Sequence, residues 1–317
     1  MANGNRTIIM EFILLGFTNH PELKSLLFIV FLAFYLMIML GNLSLITLVG
    51  INPKLHTPMY FLLRHLAFLD FCFSTAVLPQ LLVTLVAGRA VLSYEQCATQ
   101  FFMFTFFGIC DCYLLAIMAY DRYVAVCQPL LYVTIMTPKT RLTVVTGAYL
   151  GGLTITTIRT CCMFSLSFCG DNQIDFIFCD VPPLLKLSCG DSSLQEFVIV
   201  LFDRFVILSS LGVILVSYLF IIKAILQIHS AGGRTKTFST CASHLTAVGL
   251  FFGTLAFMYV RIKSGESLDE DKVVSVFYTV VIPMLNPLIY SLRNKEVKEA
   301  LKKTLSRLKL SSVFHGH

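Results

Sequence analysis

The chain is 317 residues long, 56% of its residues are hydrophobic and only 13% are charged; its mean hydropathy is +0.80. A water-soluble domain carries about 25% charged residues, so this composition excludes a soluble protein and predicts a surface that is covered by lipid. The formal net charge of +6 is modest, and its distribution along the chain is more informative than its sum.

Seven stretches of the chain are long and apolar enough to be membrane-spanning helices, each of which needs about 20 mostly apolar residues. They cover about residues 26–50, 58–83, 98–120, 142–163, 197–222, 237–260 and 273–292. The sequence therefore predicts an all-α membrane protein built as a seven-helix transmembrane bundle over residues 26–292.

The orientation of the bundle is predicted from Lys and Arg, which are enriched on the cytosolic side of membrane proteins. A cytosolic C-terminus places most of the 24 Lys and Arg residues on the inner side. Residues 1–25 are then extracellular, and residues 293–317 form a cytoplasmic tail. Asn5 begins an Asn-Arg-Thr triplet, which is a glycosylation acceptor and agrees with an outer N-terminus.

The tail is predicted to hold a short amphipathic helix that lies on the inner leaflet. Its apolar residues fall on one helical face, and its lysines fall largely elsewhere. The apolar set is Val297, Ala300, Leu301, Leu305 and Leu308.

Four of the 11 cysteines are predicted on the outer side. Cys169, Cys179 and Cys189 lie in the long loop 164–196, and Cys97 opens the third helix. The outer face is oxidising, so disulfides are expected there, and four cysteines permit three connectivities. The other cysteines are interpreted as small packing residues, and no metal site formed by cysteines is expected.

Two acidic residues, Asp70 and Asp111, lie in the middle of predicted spans, where ionisable groups are costly and default to a functional hypothesis. Asp111 and Arg122 are about three helical turns apart and share a face of the third helix. Two neighbouring buried carboxylates need a shared proton or a counter-charge. A sodium ion between Asp70, Asp111 and Asn286 is one hypothesis, and a neutral polar cluster that only orients the helices is the other.

Two short motifs lie at the predicted cytosolic ends of the third and seventh helices. Asp121-Arg122-Tyr123 ends the third helix, where the acid and the base can form a local ion pair that a partner breaks. Asn286-Pro287-Leu288-Ile289-Tyr290 lies in the seventh, where Pro287 removes a backbone donor. Together these motifs resemble the switch of rhodopsin-like G-protein-coupled receptors.

Longer motifs narrow this resemblance. They read LHTPMYF at 55–61, MAYDRYVAVC at 118–127, SY at 217–218, KTFSTCASHL at 236–245 and PMLNPLIYSLRN at 283–294. Together they resemble the tetrapod-type (class II) olfactory receptors of vertebrates, over nearly all of residues 10–300.

The resemblance implies an odorant receptor that binds small volatile ligands and activates the stimulatory olfactory G protein, which raises cyclic AMP. It implies a multi-pass protein of the plasma membrane of sensory cilia, with no enzyme activity, no cofactor and no nucleic-acid partner. It implies disulfides Cys97–Cys179 and Cys169–Cys189, with Cys97–Cys189 as the competing assignment. The switch residues that it implies are Asp121, Arg122, Tyr123, Tyr218, His244, Asn286, Pro287 and Tyr290.

The resemblance also implies a ligand pocket in the outer half of the third, fifth, sixth and seventh helices, a small apolar cavity with few polar groups. The expected contacts are Phe104, Thr105, Gly108, Ile109, Cys112, Phe202, Val206, Ile207, Phe252, Leu255, Tyr259, Val276 and Thr279. Two residues depart from the family pattern: Asp111 replaces the usual Glu, and Phe252 stands where the family often has Tyr.

Two alternatives stay open on the residues alone. One is a rhodopsin-like receptor for another small ligand. The other is a seven-helix ion transporter that uses Asp70 and Asp111, although no inverted repeat is evident. No nucleotide loop and no hydrolase or zinc-protease motif is present, which argues against an enzyme.

Overall fold

The computed structural model describes residues 11–17, 21–228, 230–262, 268–293 and 296–304. Its helices are Lys24–Ile51 (α1), Pro58–Ala87 (α2), Tyr94–Cys127 (α3), Tyr132–Ile135 (α4), Pro138–Phe164 (α5), Val181–Lys186 (α6), Ser193–Leu226 (α7), Ala231–Ile262 (α8), Leu268–Val276 (α9) and Ile282–Arg293 (α10), followed by 296–304 (α11). The seven predicted spans lie within α1, α2, α3, α5, α7, α8 and the α9–α10 pair.

Five of these helical segments are long and apolar enough to cross a membrane by themselves: Lys24–Ile51, Pro58–Ala87, Tyr94–Cys127, Ser193–Leu226 and Asp271–Tyr290. Within α8, Cys241–Phe257 is a shorter apolar helix. In α5, threonines and glycines lower the hydropathy. The bundle therefore places helices of unequal hydropathy side by side.

The long helix α3 lies at the centre of the bundle and packs against α2, α5, α7 and α8. Its start is set by a capping box, in which the Gln96 backbone N–H donates to Ser93 Oγ at 3.2 Å and the Ser93 N–H donates to Gln96 Oε1 at 2.9 Å. This pairing satisfies two donors that a helix start leaves free. The ends of α3 mark the two ends of the bundle.

One end of the bundle, here called the disulfide end, holds both disulfides. Cys97 at the start of α3 is joined to Cys179, with their Cα atoms 5.7 Å apart. Cys169 is joined to Cys189, with a Cα separation of 5.8 Å. The first bond ties the loop between α5 and α7 to α3. The opposite end, where α3 finishes, is called the Arg122 end.

A small sheet at the disulfide end was not predicted. Its strands are Glu11–Leu14 (β1), Ala90–Ser93 (β2) and Gln173–Ile174 (β3), in the order β2-β1-β3. β1 is antiparallel to β2 and parallel to β3. The buried ring of Phe12 packs against Tyr94 and Phe168. The sheet joins three segments that are distant in sequence, and each strand is too short for its hydrophobic pattern to predict it.

Helix α11 follows the bundle at the Arg122 end. Val297 is buried, Ala300 is partly buried and Leu301 is exposed. The hydroxyl of Tyr60 in α2 donates to the carboxylate of Glu296 at 2.8 Å. The start of α11 is thereby held against the bundle, while Leu305 and Leu308 lie outside the described residues.

Candidate functional site

An aromatic cluster fills the interior near the disulfide end of α3. The ring centroid of Phe104 is 4.4 Å from that of Phe178, 5.0 Å from that of Phe73 and 6.0 Å from that of Tyr278. These rings come from α3, the disulfide-linked loop, α2 and the seventh helix. The loop residue Phe178 is fully buried. This end of the bundle interior is therefore walled by aromatic side chains.

Sequence reasoning found Phe104 but missed Phe73, Phe178 and Tyr278. Gly108 was predicted on the same face as Phe104, and the ring of Phe73 approaches it, with Cε2 3.4 Å from the ideal Cβ position of Gly108. The missed residues are apolar or aromatic like many others in the chain. Only the position of Phe178 next to Cys179 signalled that it would be brought to α3.

The predicted ligand contacts are interior residues in the described part of the chain. Phe104, Gly108, Phe202, Ile207, Leu255 and Val276 are partly buried, and Thr105, Ile109, Cys112, Val206, Phe252 and Thr279 are buried. The side chain of Tyr259 lies outside the described residues. The ring of Phe252 packs edge-on against Phe251, with centroids 5.4 Å apart.

The seventh helix changes its winding at the predicted contacts. Phe277–Val281 form a π-helical turn between α9 and α10, a feature frequently found at functional sites. Thr279 Oγ1 donates to the Ser275 carbonyl at 2.7 Å, so its hydroxyl is engaged within its own helix. The Thr279 carbonyl accepts from Ser74 Oγ at 3.0 Å, which joins this turn to α2.

The three residues of the hypothetical cation site are all buried near the middle of the bundle. Asn286 Nδ2 lies 2.9 Å from Asp70 Oδ2 and 3.2 Å from Oδ1, and donates to that carboxylate. Asp111 Oδ1 and Asn286 Oδ1 are buried without a hydrogen-bond partner in the described part of the chain. Two carboxylates and an amide oxygen are hard ligands of the kind that alkali and alkaline-earth cations accept.

On the Arg122 side of the hypothetical cation site, Tyr218 and His244 connect three helices. The Tyr218 hydroxyl lies 2.8 Å from His244 Nδ1, and His244 Nε2 lies 3.0 Å from the Leu115 carbonyl. The carbonyl can only accept, so Nε2 carries a proton. In the neutral ring Nδ1 then accepts from Tyr218. The arrangement ties α3, α7 and α8 together with fixed donor directions.

At the Arg122 end, the acid of the Asp-Arg-Tyr motif has a partner that sequence reasoning missed. Asp121 is buried and accepts a hydrogen bond from the Tyr132 hydroxyl of α4 at 2.9 Å. An ion pair between Asp121 and Arg122 is not among the contacts of the described residues. Arg122 is 7% exposed, and the buried Tyr290 hydroxyl has no hydrogen-bond partner in the same described region. In place of the local pair that the sequence suggested, the Asp121 carboxylate thus has a contact with α4.

Charged residues near the disulfide end are paired across elements. Lys272 Nζ contacts Asp175 Oδ1 at 2.6 Å, and Arg159 contacts Asp203 at 2.8 Å. Asp180 begins α6 and accepts from the Val181 N–H at 2.8 Å. Burial raises the pKa of Asp180 to about 6, against the lowering effect of that hydrogen bond.

A group of three or more His, Cys, Asp or Glu side chains that could hold a metal is absent from the part of the chain that the structure describes. The site residues instead form two interior regions. Aromatic and apolar side chains lie toward the disulfide end, and a hydrogen-bonded polar set lies toward the Arg122 end. The long helix α3 connects the two regions.

Comparison with known proteins identifies the family. The olfactory receptor family model matches residues 31–308. The chain is 63% identical to human olfactory receptor 9Q2 over 98% of both chains, and 62% identical to human olfactory receptor 9Q1 over 98% of this chain and all of that one. It is 50% identical to mouse olfactory receptor 8U3 over 97% of this chain and 96% of that protein. The chain therefore belongs to the olfactory receptor family, as a multi-pass membrane protein with a seven-helix bundle.

Proposed function

We propose that the chain binds small volatile, mostly apolar ligands in the bundle interior beside the aromatic cluster of Phe73, Phe104, Phe178 and Tyr278. The observation that carries this proposal is that one helix, α3, connects this cluster to Arg122. Apolar walls favour ligands that leave water for an apolar environment, and the family membership supports odorants as that class. Membership of this family does not favour the two alternative hypotheses, an ion transporter and a receptor for another small ligand.

The ligand contacts of this proposal are those named from the sequence, with the loop residue Phe178 added. Most are apolar, so affinity comes mainly from buried apolar area. Thr105 is a buried hydroxyl on α3 that could orient a ligand with one polar group. Phe252 contributes apolar surface only, which favours hydrophobic over polar ligands at its position.

Ligand binding is coupled to G-protein activation through eight residues: Asp121, Arg122, Tyr123, Tyr218, His244, Asn286, Pro287 and Tyr290. Support comes from the burial of Arg122 at the end of α3 and from the Tyr218–His244 pair that ties α3 to α7 and α8. A ligand changes such a switch only through different affinities for its two states. The partner is the stimulatory olfactory G protein, and the product is raised cyclic AMP.

In this proposal the receptor lies in the plasma membrane of sensory cilia. The disulfide end and Asn5 are outside the cell, and residues 293–317 are in the cytoplasm. Support comes from the charge asymmetry of the sequence and from the disulfides, which persist in an oxidising compartment. Treatment of intact cells with an N-glycosidase should shift the apparent mass of the wild-type chain. It should leave Asn5→Gln unchanged.

A sodium ion held by Asp70, Asp111 and Asn286 is part of the same proposal. The unpartnered oxygens of Asp111 and Asn286 support it, since a cation would supply what they lack. Sodium should raise the unfolding temperature of the purified chain more than choline at the same ionic strength. Asp111→Asn should remove that difference, and an equal response to both ions would sink the sodium assignment.

The main test is a cyclic-AMP reporter assay of the expressed chain against a chemically varied odorant panel. Some volatile should raise cyclic AMP, and Arg122→Ala should abolish the response at equal surface expression. Arg89→Ala, which removes an exposed arginine at the disulfide end, serves as the matched control. A response carried wholly by another class of G protein would refute the coupling.

A further inference from the structure

A cavity lies away from the proposed odorant site. It encloses about 560 Å³ between α3, α5 and α7, a size within the range of small-molecule sites, about 300–1,000 Å³. On α3 it is lined from Tyr113 to Tyr120, toward the Arg122 end. None of its lining residues belongs to the predicted ligand contacts.

The cavity is open sideways. Tyr120 is 41% exposed and Val213 is 44% exposed, and Gly147 is exposed on α5. In a spanning bundle, the exposed flank of a helix faces lipid. A molecule dissolved in the bilayer therefore reaches this cavity without passing through the disulfide end.

Its walls select for an uncharged occupant. No charged side chain is among the described residues that line it, so a charged ligand would be desolvated at membrane depth without a counter-ion. Gly147, Ala148 and Gly151 line the α5 side. A Cβ built on Gly147 meets no atom within 4 Å. The small residues leave the space open.

Among the described residues of the wall, one buried polar group has no hydrogen-bond partner. Ser210, near the middle of α7, is 1% exposed, and its hydroxyl makes no hydrogen bond in the described part of the chain. A buried hydroxyl without a partner is costly. The adjacent Ser209 differs, because its hydroxyl donates to the Val206 carbonyl at 3.2 Å. Only Ser210 of this pair is left to bond an occupant.

We propose that this cavity is a second ligand site, entered from the membrane, for a small uncharged amphiphile with one hydroxyl, such as an aliphatic alcohol, whose hydroxyl bonds Ser210. The apolar chain of the alcohol fills the space beside Gly147 and Gly151. The lining residue Tyr120 directly precedes Asp121, so the occupant lies next to the α3 end of the proposed switch. The proposal does not depend on which G protein the chain activates.

The test uses the purified chain in lipid nanodiscs and two photoreactive probes: a ten-carbon alcohol that carries a diazirine, and the matching hydrocarbon without the hydroxyl. Labelled peptides are mapped by mass spectrometry. The alcohol should label the α3, α5 and α7 wall about two- to tenfold more than the hydrocarbon, the effect of one hydrogen bond. Unlabelled 1-decanol should compete with the alcohol probe.

Ser210→Ala should bring labelling by the two probes to the same level, while Ser209→Ala should keep the difference. Gly147→Leu should fill the cavity and abolish labelling, whereas Gly249→Leu, which replaces an exposed glycine of α8 with open space around it, should not. If Gly147→Leu fails to fold, Ser210→Ala still decides, because it breaks no internal hydrogen bond. Equal wild-type labelling by both probes, or labelling spread evenly over α1, would overturn the proposal.

Discussion

The side-chain amide of Asn42 in α1 donates a hydrogen bond to the backbone carbonyl of Pro283 at 3.1 Å. In a regular helix that carbonyl accepts from the N–H four residues later, but that residue is Pro287, which has none. The same amide also donates to Ile38 within its own helix at 3.0 Å. A neighbouring helix therefore supplies the donor that the proline of the seventh helix removes.

Replacing Asn42 with Ala should lower the free energy of unfolding by about 1 kcal/mol, a typical value for an interhelical hydrogen bond in a membrane. Thermal unfolding in nanodiscs measures the loss. Pro287→Ala restores an N–H for the Pro283 carbonyl, so the double variant should lose less than the sum of the single variants. Strictly additive losses would contradict this bond.

Asn52→Ala is the matched control for this cycle. The Asn52 amide, just after the end of α1, donates to the Leu48 carbonyl of that helix at 2.9 Å and to no other helix in the described part of the chain. It should show no coupling to Pro287→Ala.

Tyr132→Phe should weaken agonist-driven cyclic-AMP production. The change removes the donor that holds the Asp121 carboxylate at 2.9 Å, and Asp121 then becomes free to pair with Arg122 and withhold it from a G protein. Tyr35→Phe in α1, whose hydroxyl contacts Thr75 at 3.4 Å, is the control at equal surface expression. Unchanged or increased efficacy of Tyr132→Phe would show that this contact does not release Arg122.

Tyr218→Phe and His244→Phe should be strongly non-additive. The first leaves His244 Nδ1 without its 2.8 Å partner, and the second removes that acceptor together with the donor to Leu115. Each single change thus breaks the same connection between α7 and α8. Unfolding temperature and cyclic-AMP efficacy of the singles and the double give the coupling energy, and independent effects would mean that the two residues do not act as a unit.

The stability of the disulfide end should increase as the pH falls from 7.5 to 5. The pKa of Asp180 is raised by burial to about 6, above its unfolded value of about 3.9. The folded state therefore binds the proton more tightly, and the stability present below the unfolded pKa is lost as the pH rises through about 6. Asp180→Asn keeps a capping side chain but should show a smaller rise in unfolding temperature over this range.

An equal pH dependence in wild type and Asp180→Asn would contradict that account. The nearby charges act in opposite directions, since Arg159 lowers the pKa of Asp180 and Asp203 raises it. Asp203→Asn should therefore lower the pH at which the stability is lost.

The Asp-Arg-Tyr motif illustrates what cannot be predicted from neighbouring residues in the sequence. Its place near the end of α3 follows from the sequence, because an apolar run that ends in adjacent charges marks the end of a membrane span; the helix itself continues to Cys127. Its partner does not follow, because Tyr132 reaches Asp121 only through the path of the connection after α3. The sequence suggested the neighbouring Arg122, and the structure instead has Tyr132 at 2.9 Å.

The sequence by itself determined the seven-helix bundle and the family, because hydropathy over about 20 residues and long motifs are local properties of the chain. Tertiary structure alone decided that the ring of Phe178 packs against that of Phe104 and that the Asn42 amide donates to the Pro283 carbonyl. It also decided that β1 pairs with β2 and β3. These contacts depend on how helices rotate and where loops return, and that is set by packing the whole bundle at once rather than by any one segment.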